Sequence, residues 1–282
     1  MKPKVFQDYD QEALDHAFDQ RAWAPNADEI LEHRQKQNNL VRARGHYQPN
    51  IQYGPSPDER LDVFPADLPL APVHFHIHGG AWRWRRKEDA SFAAPAFTAT
   101  GTTYIVPDFG ALPSVRLPEI VDQLARAVSW VYHNAKDLHI DPDRIFISGH
   151  SSGAHLCAVL LALDWAPYGL PENVLKGGLC ISGIYDMKPV LLSARREYID
   201  LNEHEALSLS PIATCATIHC PVSIVYAQND SPEFIRQSRQ FAAILAENGK
   251  TPELVMIPGV NHFEIIDRLA QLAGSCQAFA AA

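Results

Sequence analysis

The sequence predicts an α/β protein with a mostly parallel central sheet flanked by helices. Three observations carry this expectation. From Glu59 onward short β-type runs alternate with longer helical ones, the pattern of crossover connections between parallel strands. Several of the β-type runs are near-continuously apolar, as strands covered on both faces are. The chain of 282 residues is 46% hydrophobic and 20% charged, which suits a single large core domain with an elaborated edge.

Taken in order, the first 58 residues are polar and irregular and read as an N-terminal arm or cap. Helical patches fall at 11–18 and 28–44, and a turn-rich stretch runs from Gln48 to Pro57. Residues 60–64 read as an antiparallel strand at one edge of the sheet. The parallel strands are expected at 72–78, 102–107, 144–148, 178–182, 221–227 and 253–257. Between them Ile120, Val121, Leu124, Val128 and Val131 recur at helical spacing, and 234–247 places Phe234, Phe241, Ile244 and Leu245 on one side. Residues 185–211 have no clear period and carry many charges, so they are expected to form a lid insertion above the carboxyl ends of the strands.

Lys plus Arg is 24 and Asp plus Glu is 33, a net charge of −9. That balance disfavours a nucleic-acid backbone and an anionic membrane surface as partners. The opening Met1-Lys2-Pro3-Lys4-Val5-Phe6-Gln7-Asp8 turns acidic where a secretory signal needs an apolar region. No apolar run reaches the roughly 18–20 residues that cross a bilayer. A cytoplasmic protein is the expectation. Cys157, Cys180, Cys215, Cys220 and Cys276 lack metal-knuckle spacing and read as reduced packing residues. A homodimer is compatible with the commonness of twofold assemblies, although no stretch marks an interface.

The residues that carry chemistry begin with Gly149-His150-Ser151-Ser152-Gly153, directly after an apolar strand and before a helical run. This is a G-x-S-x-G elbow in the context it requires: a sharp turn that exposes the serine and aims a helix N-terminus at the reaction. Upstream, the strand ending at Ile77 runs into His78-Gly79-Gly80-Ala81-Trp82. Two glycines there let backbone N–H groups converge on the oxyanion of an acyl-transfer intermediate, so Gly79, Gly80 and Ser152 are the expected oxyanion hole. In sheets of this type the acid and then the base follow later strands. Asp230 follows the strand at 221–227 and His262 follows the one at 253–257, which makes Ser151, Asp230 and His262 the expected catalytic triad, with Asp186 the second choice of acid. His74, His76 and His78 alternate onto one strand face. A metal site is the rival reading, set aside because no carboxylate lies nearby in sequence, and no cofactor is expected. Trp82 and Phe109 could line an aromatic pocket. Arg83, within the basic run Arg83-Trp84-Arg85-Arg86-Lys87, could bind a substrate carboxylate, the alternative being a solvated face.

Together these motifs resemble the α/β-hydrolase superfamily, in the branch that includes kynurenine formamidase (arylformamidase) and the hormone-sensitive-lipase-like esterases. His78 to Trp82 is similar to the formamidase HGGxW motif, and Gly149 to Leu156 to its elbow. Ser182-Gly183-Ile184-Tyr185-Asp186, Asp230 to Phe234 and His262 to Ile266 are similar to further segments. The resemblance implies hydrolysis of N-formyl-L-kynurenine to kynurenine and formate without a metal. Ester hydrolysis is the alternative, and a non-catalytic ligand-binding fold a third. Three departures bear on substrate: Ser152 stands where alanine is usual, Ala81 replaces a frequent tyrosine, and the loop Phe109-Gly110-Ala111-Leu112-Pro113 differs from the Tyr-Asp-Leu-Cys-Pro type.

Overall fold

In the computed structural model, which describes residues 2–275, the apolar runs assemble into one eight-stranded sheet. The strands are β1 (Gln48–Gln52), β2 (Arg60–Phe64), β3 (Ala71–Ile77), β4 (Thr103–Pro107), β5 (Ile140–His150), β6 (Leu175–Ile181), β7 (Val222–Asn229) and β8 (Glu253–Asn261). Their spatial order is β1-β2-β4-β3-β5-β6-β7-β8. All pairs from β4 to β8 are parallel, and β2 runs antiparallel to both of its neighbours. The expected mostly parallel α/β sheet is what the chain forms. One expectation needs correction: residues 60–64 do not close the edge, because Gln48–Gln52, read as turn, pairs outside them. Pro49 and the exposure of this segment conceal it, since neither an alternating nor an apolar pattern marks a short strand that packs on little.

β5 explains why the centre holds. Ile145 and Ile147 are fully buried between the flanking helices. On one face the helix Leu117–His133 lays Ile120, Leu124, Val128 and Val131 against the sheet, all at 0% exposure, with a proline in its first turn where the missing N–H costs nothing. The helix Pro232–Glu247 starts at Ser231, whose hydroxyl caps Phe234 N–H, and buries Phe234, Phe241 and Leu245. A second buried cluster covers the other face through Phe97, Tyr104, Val225 and Leu269. Among the described residues no helix is long and apolar enough to cross a membrane.

Two features prepare the site. The parallel register brings the carboxyl ends of β3, β5, β7 and β8 to one edge of the sheet, where crossover sheets present their loops to ligands. Over that edge lie segments remote in sequence. The connection after β6 contains the helices Met187–Leu192 and Glu203–Ser208 and a tight turn at Ala194–Glu197. It is tied to the N-terminal helix Gln11–Phe18 by Gln11 Nε2 to Leu192 O at 2.9 Å and by Ala194 N to Asp15 Oδ1 at 2.6 Å.

The thiols of Cys157, Cys180, Cys215 and Cys220 are free and buried or half-buried. Burial holds the Cys157 thiol well above its usual pKa and pushes Cys220 up to about 12. Cys276 lies outside the described residues.

Candidate active site

Ser151 occupies the turn between β5 and the helix Ser152–Leu161 with φ 57° and ψ −122°. A non-glycine residue in this left-handed region is strained, and neighbours enforce it. Ser151 N–H donates to Ile181 O at 2.9 Å. At Gly149 a Cβ would lie 2.0 Å from Gly153 O, so only glycine lets the strand enter the helix this closely. The serine is thereby pushed out of the sheet toward a cavity.

The loop after β3 forms the adjacent wall. Gly80 has φ 115°, and a Cβ there would overlap Trp84 O at 1.9 Å. The left-handed course continues through Ala81 (φ 55°) and Trp82 (φ 58°). Its tether is Ser152: the hydroxyl accepts from Trp82 N–H at 3.2 Å. The extra hydroxyl noted in the sequence thus binds the loop rather than the nucleophile. Ser152 N–H opens the helix and is one of the N–H groups that a helix leaves unpaired at its start. Replacing Ser152 with alanine removes the acceptor from a buried N–H, a loss of about 1–3 kcal/mol. We expect a Tm lowered by several degrees and a several-fold fall in kcat; an unchanged melting curve would show that the tether carries no weight.

β7 ends in the turn that holds Asp230, and β8 ends in the loop that holds His262. The two are buried at 3% exposure each and bonded, His262 Nδ1 to Asp230 Oδ1 at 2.7 Å. The second carboxylate oxygen accepts from Ser182 Oγ at 2.6 Å and Ala227 N–H at 2.8 Å. Phe234 and Phe263 meet the imidazole edge-on at 5.1 and 5.5 Å, and His150 Nε2 donates to His262 O at 2.8 Å. The ring is fixed in plane and tautomer, with Nε2 left for chemistry. Ser182 and His150 were not singled out from sequence. The signal for Ser182 was available, since it ends the strand neighbouring β7, but its partner is known only once the sheet order is known. Asp186 is elsewhere: it caps the helix Met187–Leu192 through Lys188 N–H at 2.9 Å, and burial raises its pKa.

The histidines of β3 are engaged by their surroundings. His74 Nε2 and His76 Nδ1 both meet Ser148 Oγ, at 2.7 and 2.8 Å, and His74 stacks on Phe97 at 4.1 Å. His78 Nδ1 donates to Gly79 O at 2.9 Å, shaping the glycine turn.

Ser151, His262, Gly79 and Gly80 line one cavity of about 530 Å³, a size suited to a small-molecule substrate. Its walls differ from the sequence expectation. Trp82 is 2% exposed and points into the protein, where Nε1 donates to His155 Nδ1 at 3.2 Å and His155 Nε2 donates to Leu209 O at 2.8 Å. Phe109 stacks on His78 at 4.4 Å, and the Arg83 guanidinium lies over Tyr198 at 4.4 Å and Trp84 at 4.8 Å. None of the three lines the cavity. The basic run is no single solvated face either: Arg85 lines the cavity, while Lys87 is buried with its Nζ 3.3 Å from Asp62 Oδ1 and bonded to Glu88. Further lining comes from Phe18, Arg21 and Arg34 of the arm, Trp84 and Phe92, Phe263, and Arg195 of the insertion. Sequence reasoning missed these because they converge from segments with no local motif.

A serine forced into a left-handed turn between strand and helix, sharing a cavity with a histidine steadied by a buried carboxylate, is the arrangement of serine hydrolases with the α/β-hydrolase fold, and this chain is one of them. It is 31% identical over 278 residues to the kynurenine formamidase of Salmo salar, covering 94% of this chain and 93% of that one. The chain belongs to the kynurenine formamidase family. The family described as BD-FAE matches residues 64–174. The chain is also 28% identical over 239 residues to esterase LipQ of Mycobacterium tuberculosis, covering 76% of this chain and 56% of LipQ. Among solved structures, a presumptive thioesterase from Silicibacter sp. TM1040 superposes with a TM-score of 0.80 at 25% identity, covering 91% of this chain and 94% of that one.

Proposed function

We propose that this chain hydrolyses an aryl formamide of the N-formyl-L-kynurenine type to an arylamine and formate, acting on a small molecule in the cytoplasm. The observation that carries the reading is His262, held by Asp230 at 2.7 Å, in one cavity with the strained Ser151. Ser151 Oγ attacks the formyl carbon as His262 Nε2 takes its proton; Asp230 stabilises the imidazolium that forms. The oxyanion is received by N–H groups of Gly79, Gly80 and Ser152. His262 returns the proton to the departing arylamine nitrogen, leaving a formyl ester on Ser151. Water, deprotonated by the same histidine, attacks the ester and releases formate and free serine.

Hydrolysis of short acyl or aryl esters is the second reading, supported by the likeness to LipQ and by Ala81, which lines the cavity where a larger side chain would narrow it. The same steps serve with an alcohol as leaving group. The deciding measurement is kcat/KM for N-formyl-L-kynurenine beside p-nitrophenyl acetate and butyrate, each with a Ser151→Ala control. The proposal expects the formamide to be preferred by about tenfold or more, a difference of about 1.4 kcal/mol in transition-state binding. Ester turnover with negligible formamide cleavage would overturn it in favour of the esterase.

A further inference from the structure

Arg195 is a guanidinium of the cavity with one side of its fork left open. Nη2 donates to Phe18 O at 2.7 Å, whereas Nη1 is buried with no hydrogen-bond partner. The charge lies over the rings of Phe18, Trp82 and Phe234 at 5.3, 5.8 and 5.9 Å. Rings stabilise a cation through their faces, but they leave the Nη1 hydrogens without an acceptor. No carboxylate among the described residues forms an ion pair with it; Asp19, on the same cavity wall, acts on its charge from farther off. Two neighbours differ: Arg34 Nε is 2.8 Å from Asp267 Oδ1 with Nη2 bonded to Phe263 O, and Arg21 is paired with Asp28; among the described residues Arg85 is the other cavity guanidinium without an ion pair.

A buried donor left open costs about 1–3 kcal/mol, which a folded chain recovers when a ligand supplies the acceptor. Of the four guanidinium groups that line the cavity, Arg21 and Arg34 are neutralised by Asp28 and Asp267, so an anionic group would find its partner at an arginine without an ion pair. Arg195 and His262 line the same cavity, and Phe234 lies beneath both, 5.9 Å from the guanidinium and 5.1 Å from the imidazole. We propose that the Arg195 guanidinium, turning its open side toward the cavity, receives a carboxylate carried by the aryl part of the substrate, and that this contact makes the enzyme select anionic over neutral aryl formamides. The inference rests on Ser151 being the nucleophile of this cavity.

The test uses a matched pair, ortho-formamidophenylacetate and its neutral primary amide, on wild type and on Arg195→Met, which keeps length and fills the aromatic cage. The ratio of kcat/KM, acid over amide, should fall about tenfold or more in Arg195→Met through KM, since hydrogen bonds to charged groups are worth that much. Arg195→Lys, which keeps the charge but not the reach of Nη1, should give an intermediate ratio and provides the readout if the methionine variant does not fold. An unchanged ratio in the folded variant overturns the proposal. Calorimetric binding of the same pair to Ser151→Ala, with and without Arg195→Met, needs no turnover. If wild type cleaves neither compound, the formamidase reading fails, and this binding preference still decides the role of Arg195.

Discussion

Replacing Ser151 with alanine should lower kcat/KM on formamide and ester alike by on the order of 10⁶-fold, leaving only what the oxyanion donors and the pocket contribute. No other group can take its place: the left-handed turn is closed by Ser151 N–H to Ile181 O and by the contact of Gly149 with Gly153, so a neighbouring hydroxyl cannot swing into the position. Ser152, the nearest candidate, is held by Trp82 N–H. Because alanine keeps the Cβ, the strain at φ 57° is the same, and the variant should melt within a degree or two of wild type. Steady-state rates with a thermal melt check both halves. Residual activity above about one part in a thousand would mean that another nucleophile operates.

Acid should unfold the protein well before its carboxylates are neutralised. Burial holds His74 and His150 well below the ordinary histidine pKa, takes His76 to about 3 and His155 to about 4. The bonds explain why these rings must stay neutral. His155 Nδ1 accepts from Trp82 Nε1, so a proton there would set donor against donor. Ser148 Oγ bridges His74 and His76 and can donate to only one of them, so two imidazolium rings would leave its proton without an acceptor. The sign follows: between the unfolded value near 6.5 and the lower folded values the unfolded chain binds more protons, so stability falls as pH falls through this window. At pH 5 His76 and His155 each cost about 2 kcal/mol, a large part of a domain's stability of about 5–15 kcal/mol, and His74 and His150 act in the same direction. Thermal melts from pH 7.5 to 5 should show a steep loss of Tm beginning near pH 6.5; a flat Tm across that range would contradict the buried neutral histidines.

The strands that carry the reaction were legible because their pattern is physical. β5, β6 and β7 are buried on both faces and read as apolar runs, and glycines at 149 and 153 mark a turn that no larger residue allows. β8 was placed despite exposure of Leu254 and Met256. β1 was not, because a short outer strand with proline carries no such pattern. At the site, Ser151, Asp230 and His262 follow from chain order at the ends of parallel strands, and the structure brings His262 and Asp230 into hydrogen-bond contact. The pocket walls did not follow. Trp82 and Phe109 are aromatic and adjacent to the glycine turn, yet the left-handed course of residues 80–82 turns Trp82 inward onto His155. Arg195 and Phe18 come from segments distant in sequence, and only tertiary packing juxtaposes them.

Catalysis here depends on an activated serine, and covalent labelling reads that directly. Wild-type protein treated with a fluorophosphonate and analysed by intact mass and peptide mapping should carry a single adduct on Ser151, absent in Ser151→Ala and formed far more slowly in His262→Ala. A protein that takes up no label, or labels at another residue with Ser151 untouched, would contradict the account.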